Sequence, residues 1–469
     1  MCKKLTNYEF NCFRSKLGLI LILLFTITEG FSQCWEKVEK GAWHTLAIQD
    51  DGKLLSWGRN EFGQLGINNN TDMLLPTQVG TDTDWRYADG GLYHSVALKN
   101  DNTLWAWGSN EVGQLGNGTN TNSNIPIMVN SDTDWQAVGV GNFFCIALKA
   151  DGTLWSWGLN DHGQLGDNTI INKNTPEQIG TDTDWESFSV GLFHVLAIKT
   201  DGTLWGWGLN NYGQFGNGTV TSQLSPTPVA AGTDWREVNC SFDHTIAIKD
   251  NGTLWAWGRN DKAQLGNGTT SATLSLTPIQ IDTATDWESL KTYYHHNFAK
   301  KADGTIWAWG YNNYGQLGNG TLNNLLEPTL FDANTDWENL AVGAFNTYLI
   351  NSEKELYAFG KNEYGELGDG TTIDRHEPVK INCVLLSTNG FETSQLNIYP
   401  NPTHKIIHIE TSNNKEVERI SVFDITGKLL VKNKAVFSNE FNTEFLEAGT
   451  YILKIFIDGE THIFKLIKN

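Results

Sequence analysis

Five histidines stand nine residues past a tryptophan: His44, His94, His194, His244 and His296. Phe144 and Asn346 hold the same offset in two further copies. Regularly spaced imidazoles are what a metal centre or a proton relay would use. Zinc, however, is held at roughly 2 Å by each ligand. Side chains one per structural unit are not expected to converge so closely. The expectation is that each imidazole satisfies backbone groups inside its own unit. A second column, Asp84, Asp134, Asp184, Asp234, Asp286 and Asp336, directly precedes tryptophan. Paired carboxylates would serve acid–base or glycoside chemistry. These again come one per unit, and Asx-type turns account for them. The Asn column (Asn60, Asn110, Asn160, Asn210, Asn260, Asn312, Asn362) is read in the same way. There is no Gly-x-Ser-x-Gly, no His-Glu-x-x-His, no phosphate loop and no Cys-x-x-Cys pair. No catalytic residue, cofactor or metal is expected.

The elements that position these columns repeat. Trp35, Trp85, Trp135, Trp185, Trp235, Trp287 and Trp337 form one tryptophan column. Trp57, Trp107, Trp157, Trp207, Trp257 and Trp309 form a second, with Phe359 in the seventh place. Trp105, Trp155, Trp205, Trp255 and Trp307 form a third, completed by Leu55 and Tyr357. The glycines after the second column, from Gly58 to Gly360, are spaced 50, 50, 50, 50, 52 and 50 residues apart. Such self-similarity marks a repeat architecture. Within the third copy, Cys145–Lys149 and Thr153–Trp157 read as strands joined at Asp151-Gly152, a pair suited to a primed hairpin turn. A glycine-rich loop, a proline-centred extended segment (Pro176–Ile179) and a further strand follow. Four strands per copy, seven copies and no helical periodicity predict an all-β, seven-bladed β-propeller over residues 33–383. A straight solenoid is disfavoured because the terminal copies are nearly complete rather than degenerate caps.

Gly191-Leu-Phe-His194-Val-Leu-Ala197, Asp201-Gly-Thr-Leu-Trp-Gly-Trp-Gly208 and Asn210-Asn-Tyr-Gly-Gln-Phe-Gly216 resemble the regulator of chromosome condensation repeat. The resemblance runs from Trp35 to about Cys383 and implies the same seven-bladed ring. A fold hosts many functions, so the resemblance is less specific for activity. Within that family, a secreted bacterial propeller that inhibits β-lactamase is a precedent for protein binding.

Lys3, Lys4, Arg14 and Lys16 precede an apolar run, Leu17–Ile27, followed by Gly30 and Ser32. This is the layout of a signal peptide over residues 1–32. A lipid anchor on Cys34 is the rival, although Gln33 stands where a small residue is expected. No later apolar run has membrane-spanning length. After a polar linker, 384–393, residues 394–469 read as a small β-sandwich with strands at Leu396–Tyr399, Ile406–Glu410, Ile420–Asp424, Lys428–Val431 and Tyr451–Ile457. Asn397-Ile-Tyr-Pro-Asn-Pro402, Val422-Phe-Asp-Ile-Thr-Gly427, Ala448-Gly-Thr-Tyr-Ile-Leu-Lys454 and Lys465-Leu-Ile-Lys468 resemble the C-terminal sorting domain of type IX secretion. That resemblance implies contact with the type IX machinery and display on, or release from, the surface of a Gram-negative bacterium. It also implies removal of the tail; an accessory binding sandwich is the alternative. Export permits disulfides. Cys34 and Cys383 flank the repeats and are neighbours if the ring closes, so a Cys34–Cys383 bridge is expected; two unpaired thiols are the alternative. Cys145 and Cys240 are expected to be free and buried.

The net charge of −20 argues against nucleic-acid or anionic-membrane partners. Copy-to-copy variation is more informative. The residue before the histidine column is Trp43, Tyr93, Phe143, Phe193, Asp243, His295 or Phe345. Large aromatics on loops near the axis of one face are expected to form a partner-binding ring, and protein anchors have this composition; packing onto a neighbouring blade is the bland reading. A second variable zone follows the Trp-Gly pair: Arg59, Glu61, Phe62, Asp161, His162, Tyr212, Lys262, Tyr314 and Tyr364. The leading expectation is a secreted or surface-displayed monomer that binds a protein and is not an enzyme. A polysaccharide-active enzyme using Asp243 is the alternative, as is a purely structural adhesin or matrix component. Nucleotide exchange on a small GTPase is disfavoured by export and by the absence of a sizeable insertion.

Overall fold

The computed structural model describes residues 35–229, 232–333, 336–383, 396–411, 417–424, 428–435, 439–457 and 460–469. The export segment 1–32, Cys34 and the linker 384–393 lie outside the described residues. Two compact units, Met1–Leu385 and Leu386–Asn469, divide the chain. Among the described residues there is no helix.

In the first repeat, β1 (Trp35–Lys40), β2 (His44–Gln49), β3 (Leu54–Gly58) and β4 (Met73–Gln78) pair in chain order as one antiparallel sheet. Six sheets of the same order follow over residues 85–128, 135–178, 185–228, 235–280, 287–332 and 337–381. These are the seven blades of a β-propeller. First strands of successive blades touch one another, and that of blade 7 touches β1, so the first strand is innermost. β2 is buried along its whole length between neighbouring blades, which is why its sequence lacks in–out alternation. β4 and its equivalents are partly exposed edges. Each carries a proline (Pro76, Pro126, Pro176, Pro226, Pro278, Pro328 and Pro378), which removes a donor and discourages pairing with another chain.

The hairpin between second and third strands differs from the expected primed turn. Lys149 N bonds Thr153 O at 3.0 Å and Gly152 N bonds Lys149 O at 3.0 Å, with Gly152 at φ 78°. Asp151 is not in the left-handed region, so the loop has three residues and ends on a left-handed glycine. Asp151 Oδ1 accepts from Thr153 N and Oγ1, which fixes the turn. Asn102 and Lys354 take the same position with φ of 63° and 58°.

Blades join through the second tryptophan column. Trp107 Nε1 donates to Gln64 O of the preceding blade at 2.8 Å, and Trp57 Nε1 closes the ring on Glu366 O of blade 7 at 2.6 Å. A Cβ on Gly66 would lie 2.8 Å from the Trp107 indole, and one on Gly368 2.7 Å from that of Trp57. The last glycine of the Gly-Gln-Leu-Gly run therefore admits the next blade's indole. No blade borrows a strand: blade 7 and blade 1 are each complete. Their seam is held by Trp35 N to Lys354 O (3.3 Å), Val38 N to Asn339 Oδ1 (3.2 Å) and Thr45 Oγ1 to Tyr348 OH (2.7 Å). Cys383 packs on the same core as Trp35 and is disulfide-bonded, while Cys145 and Cys240 are buried and free.

In the second unit, Leu396–Tyr399, Ile406–Thr411 and Glu440–Asn442 form one sheet. Leu429–Ala435, Arg419–Asp424, Gly449–Ile457 and Glu460–Lys468 form the other. Ile407, Ile409 and Phe441 from the first share a core with Ile420, Val422, Leu453 and Leu466 from the second, which makes a β-sandwich. Glu440–Asn442 and Glu460–Lys468 are strands that the sequence pattern did not reveal.

Candidate functional site

The loop between first and second strands has three residues, Gly41-Ala42-Trp43 in blade 1, closed by Gly41 N to His44 O at 2.7 Å. The middle residue points into the ring. Ala42, Leu92, Leu192, Phe242, Tyr294 and Ala344, from six blades, meet in one apolar cluster. Backbone bonds link neighbouring loops there: Ala42 N to Gly91 O, Leu92 N to Asn142 O and Asn142 N to Leu192 O, at 3.0–3.2 Å. Side chains from opposite blades can meet only at the axis, so these residues plug the tunnel at this face. These positions are inconspicuous in the sequence, because small and aliphatic residues before a strand look ordinary.

The third loop residue is the expected ring. Trp43, Tyr93, Phe143, Phe193, His295 and Phe345 are half-buried, and Asp243 is buried. The loop between third and fourth strands opens on the same face, farther from the axis. Its variable residues belong to the same surface. Phe62 packs on Tyr93 of the next blade (ring centroids 4.8 Å), His162 on Phe193 (5.4 Å), Tyr314 on Phe345 (5.1 Å) and Tyr364 on Trp43 (6.0 Å). Neighbouring ring members also touch, as do Trp43 and Phe345 at 5.9 Å and Tyr93 and Phe143 at 6.1 Å. Cations are interleaved: Arg59 lies 5.2 Å from the Tyr93 centroid and 4.9 Å from that of Tyr364, and Lys361 4.8 Å from that of Trp43. Arg59, Glu61, Asn70, Thr71, Asp72 and Tyr364 line a depression on the outer part of this annulus.

Asp243 breaks the aromatic pattern. Its Oδ2 accepts from Arg259 Nη1 at 2.8 Å, and Arg259 Nη2 reaches Asp261 at 2.7 Å. Burial pushes the Asp243 carboxyl up to about 6, against the pull of Arg259. His295 Nδ1 lies 3.7 Å from Asp243 Oδ1, and burial pushes His295 down to about 3. The carboxylate is thus turned to a guanidinium and an imidazole, not to a second acid across a cleft.

The histidine column is structural, but it acts between blades rather than within one. His44 Nε2 meets Ser95 Oγ of the next blade at 2.7 Å, His94 meets Cys145 Sγ at 3.4 Å, and His296 meets Thr347 Oγ1 at 3.1 Å. Ser95 and Thr347 each donate onward to a backbone carbonyl, so their oxygens accept from the imidazole. Burial pushes His44, His94, His194 and His296 down to about 3 and His244 to about 4. The argument that histidines in separate blades stay apart fails at one point: His295 of blade 6 reaches His244 and Asp243 of blade 5. The aspartate column also differs from expectation. Asp84, Asp134, Asp184, Asp234 and Asp286 pair with the lysine that ends the second strand, at 3.0–3.1 Å, instead of closing Asx turns. The asparagines do brace a loop: Asn60 Oδ1 accepts from Leu65 N at 2.9 Å, and its Nδ2 donates to Asn69 O and Thr71 O.

Comparison with known proteins agrees with this architecture. Residues 397–469 match the secretion system C-terminal sorting domain, so the chain is a propeller exported by type IX secretion to the cell surface or extracellular space. The ultraviolet-B receptor UVR8 of Arabidopsis thaliana is 46% identical over 52 residues, a stretch covering 11% of this chain and 12% of the receptor. The structure of Prp20p from Saccharomyces cerevisiae, reported with its binding to Gsp1p and histones, superposes with a TM-score of 0.64 at 19% identity, over 79% of this chain and 91% of that one. Human WBSCR16 gives 0.62 at 20% identity, over 70% and 93%. These two share the fold. The regulator of chromosome condensation (RCC1) repeat matches residues 51–98, 101–148, 151–198, 201–248, 251–292, 303–350 and 354–390, and the chain belongs to that repeat family.

Proposed function

We propose that the exported propeller is a protein-binding module whose contact surface is the annulus. One observation carries this reading: five of seven equivalent positions on one face, set over a plugged axis, hold half-buried Trp, Tyr or Phe, with Arg59 and Lys361 of the neighbouring loops interleaved among the rings. Aromatic and arginine side chains on a rigid scaffold are the usual anchors of protein interfaces, because they bury much area at little entropic cost. The yeast relative Prp20p, whose reported properties include binding to Gsp1p and histones, is a precedent for protein contacts on this fold.

The test is capture of surface and culture proteins by the purified chain, identified by mass spectrometry. The comparison is with a Trp43→Ser/Tyr364→Ser variant, which cuts the contact across the seam. The expected result is loss of the captured species with unchanged circular dichroism. Equal capture by the folded variant rejects the annulus.

A further inference from the structure

We propose that the seam between blades 5 and 6 holds a transition-metal site of the zinc class, made by Asp243, His244 and His295. Among the described residues these three converge: one carboxylate oxygen and one nitrogen from each ring lie within 4.8 Å of one another. Asp243 and His244 are 1% and 0% exposed, and the His295 side chain is 14% exposed. Asp243 Oδ1, His244 Nδ1 and His295 Nδ1 are all buried and without a hydrogen-bond partner. Leaving such atoms unpaired is costly, and a cation would satisfy all three at once.

The surrounding bonds prepare the donors. Asn297 Nδ2 donates to Gln264 O at 2.9 Å, which turns Asn297 Oδ1 toward His244 Nε2 at 2.9 Å. The Nε2 atom therefore carries the proton and Nδ1 keeps its lone pair. Arg259 holds Oδ2 of Asp243, while Asp261 supplies a second negative charge to the same guanidinium. Tetrahedral ligands with bonds of about 2.0–2.1 Å stand roughly 3.3 Å apart. The 3.7 Å between Asp243 Oδ1 and His295 Nδ1 is close to that, and the partly exposed His295 ring is the group free to close the remainder. Two imidazoles and a carboxylate leave a fourth position for water or an incoming side chain, and the mixed N/O set suits Zn²⁺. Elsewhere in the ring the position of Asp243 is aromatic or His295, so no other blade pairs a carboxylate with its column histidine.

The repeats themselves supply fold-compatible variants. Phe144 occupies the His244 position in blade 3, and Phe143, Phe193 and Phe345 occupy the His295 position. The full chain, its His244→Phe, His295→Phe and Asp243→Asn variants, and a His194→Phe control are dialysed against Zn²⁺, and bound metal is counted. Binding of Co²⁺ is followed by its visible spectrum. The expected result is one equivalent fewer in each of the three variants than in the wild type, with the control unchanged. Affinity should fall by more than the roughly 10–100-fold that a change of a supporting residue costs. Equal zinc content in wild type and His295→Phe, with both folded by circular dichroism, overturns the proposal.

Discussion

The two faces of the propeller are made from the same seven repeats, yet they treat those repeats differently. On the face where one blade passes to the next, five blades build the same clasp. Lys99, Lys149, Lys199, Lys249 and Lys301 each sit 4.6–5.0 Å from the centroids of two tryptophans and 3.0–3.1 Å from an aspartate. On the annulus face the four cross-blade ring pairs, Phe62–Tyr93, His162–Phe193, Tyr314–Phe345 and Tyr364–Trp43, are all different. Uniform geometry on one face points to a shared mechanical task. Variation over an equally regular backbone is what the proposed contact surface requires. Blades 1 and 7 depart from the clasp, with Gln49 and Asn351 in place of lysine, and they are the two that flank the seam. Gln49 Nε2 there approaches the Cys383 sulfur at 3.7 Å.

The largest expected effect tests the clasp. Trp185 is 3% exposed and packs edge-on against Trp205 at 6.0 Å. Trp185→Ala should cost about 3–5 kcal/mol in denaturant unfolding, as large core truncations do. Trp135→Ala and Trp235→Ala should cost the same, because their surroundings repeat. Phe193→Ala on the annulus should cost less than half as much. An equal cost on both faces would erase the contrast.

Acid should attack the annulus side first, since the histidine column lies directly beneath it. His44, His94 and His296 stay neutral in the fold down to about 3, whereas an unfolded imidazole takes a proton near 6.5. Their contribution to stability is present above pH 6.5 and is lost as pH falls toward 3. Glu39 and Glu366, pushed up to about 7 by burial, act in the opposite sense and gain stability as pH falls from 7 to 4.5. The imidazoles pushed down by burial outnumber these two acids, so the acids offset only part of the loss, and the melting temperature should fall from about pH 6.5 and more steeply below 4.5. His94→Phe should soften that drop. A melting temperature that stays flat from pH 6.5 to 4.5 would show that the buried imidazoles do not stay neutral in the fold.

The smallest effect sharpens the clasp itself. Lys149→Met keeps the stem between Trp135 and Trp155 but removes the charge from the two rings and from Asp132 and Asp134. Because those aspartates are more than a third exposed, the loss should be about 0.5–1 kcal/mol and should shrink in high salt. A loss several times larger, unaffected by salt, would place the stabilisation in packing alone.

Blade number, the inner strands and the shared face of the variable loops were legible from the repeat, because a fifty-residue period with three tryptophan columns leaves few alternatives. Contacts between blades were harder to read. Ser95, Asn297 and Thr347 meet histidines of the preceding blade because positions one repeat apart become neighbours in a ring. That rule would also have placed His295 beside Asp243, fifty-two positions apart. The axial plug depends on radius, which residues as plain as Ala42 and Leu92 do not announce. The final strand, Glu460–Lys468, shares its last residues with the Lys465–Lys468 motif, which masks its strand pattern.

Since every blade is one contiguous stretch and none is stitched from both ends of the chain, the circle is a set of interchangeable tiles. A break between any two tiles leaves each sheet whole, and a tile can be duplicated or lost without unravelling its neighbours. Only the curvature and the fit of the last junction must then adjust. Such a construction lets the variable loops diverge tile by tile while the frame that carries them stays the same.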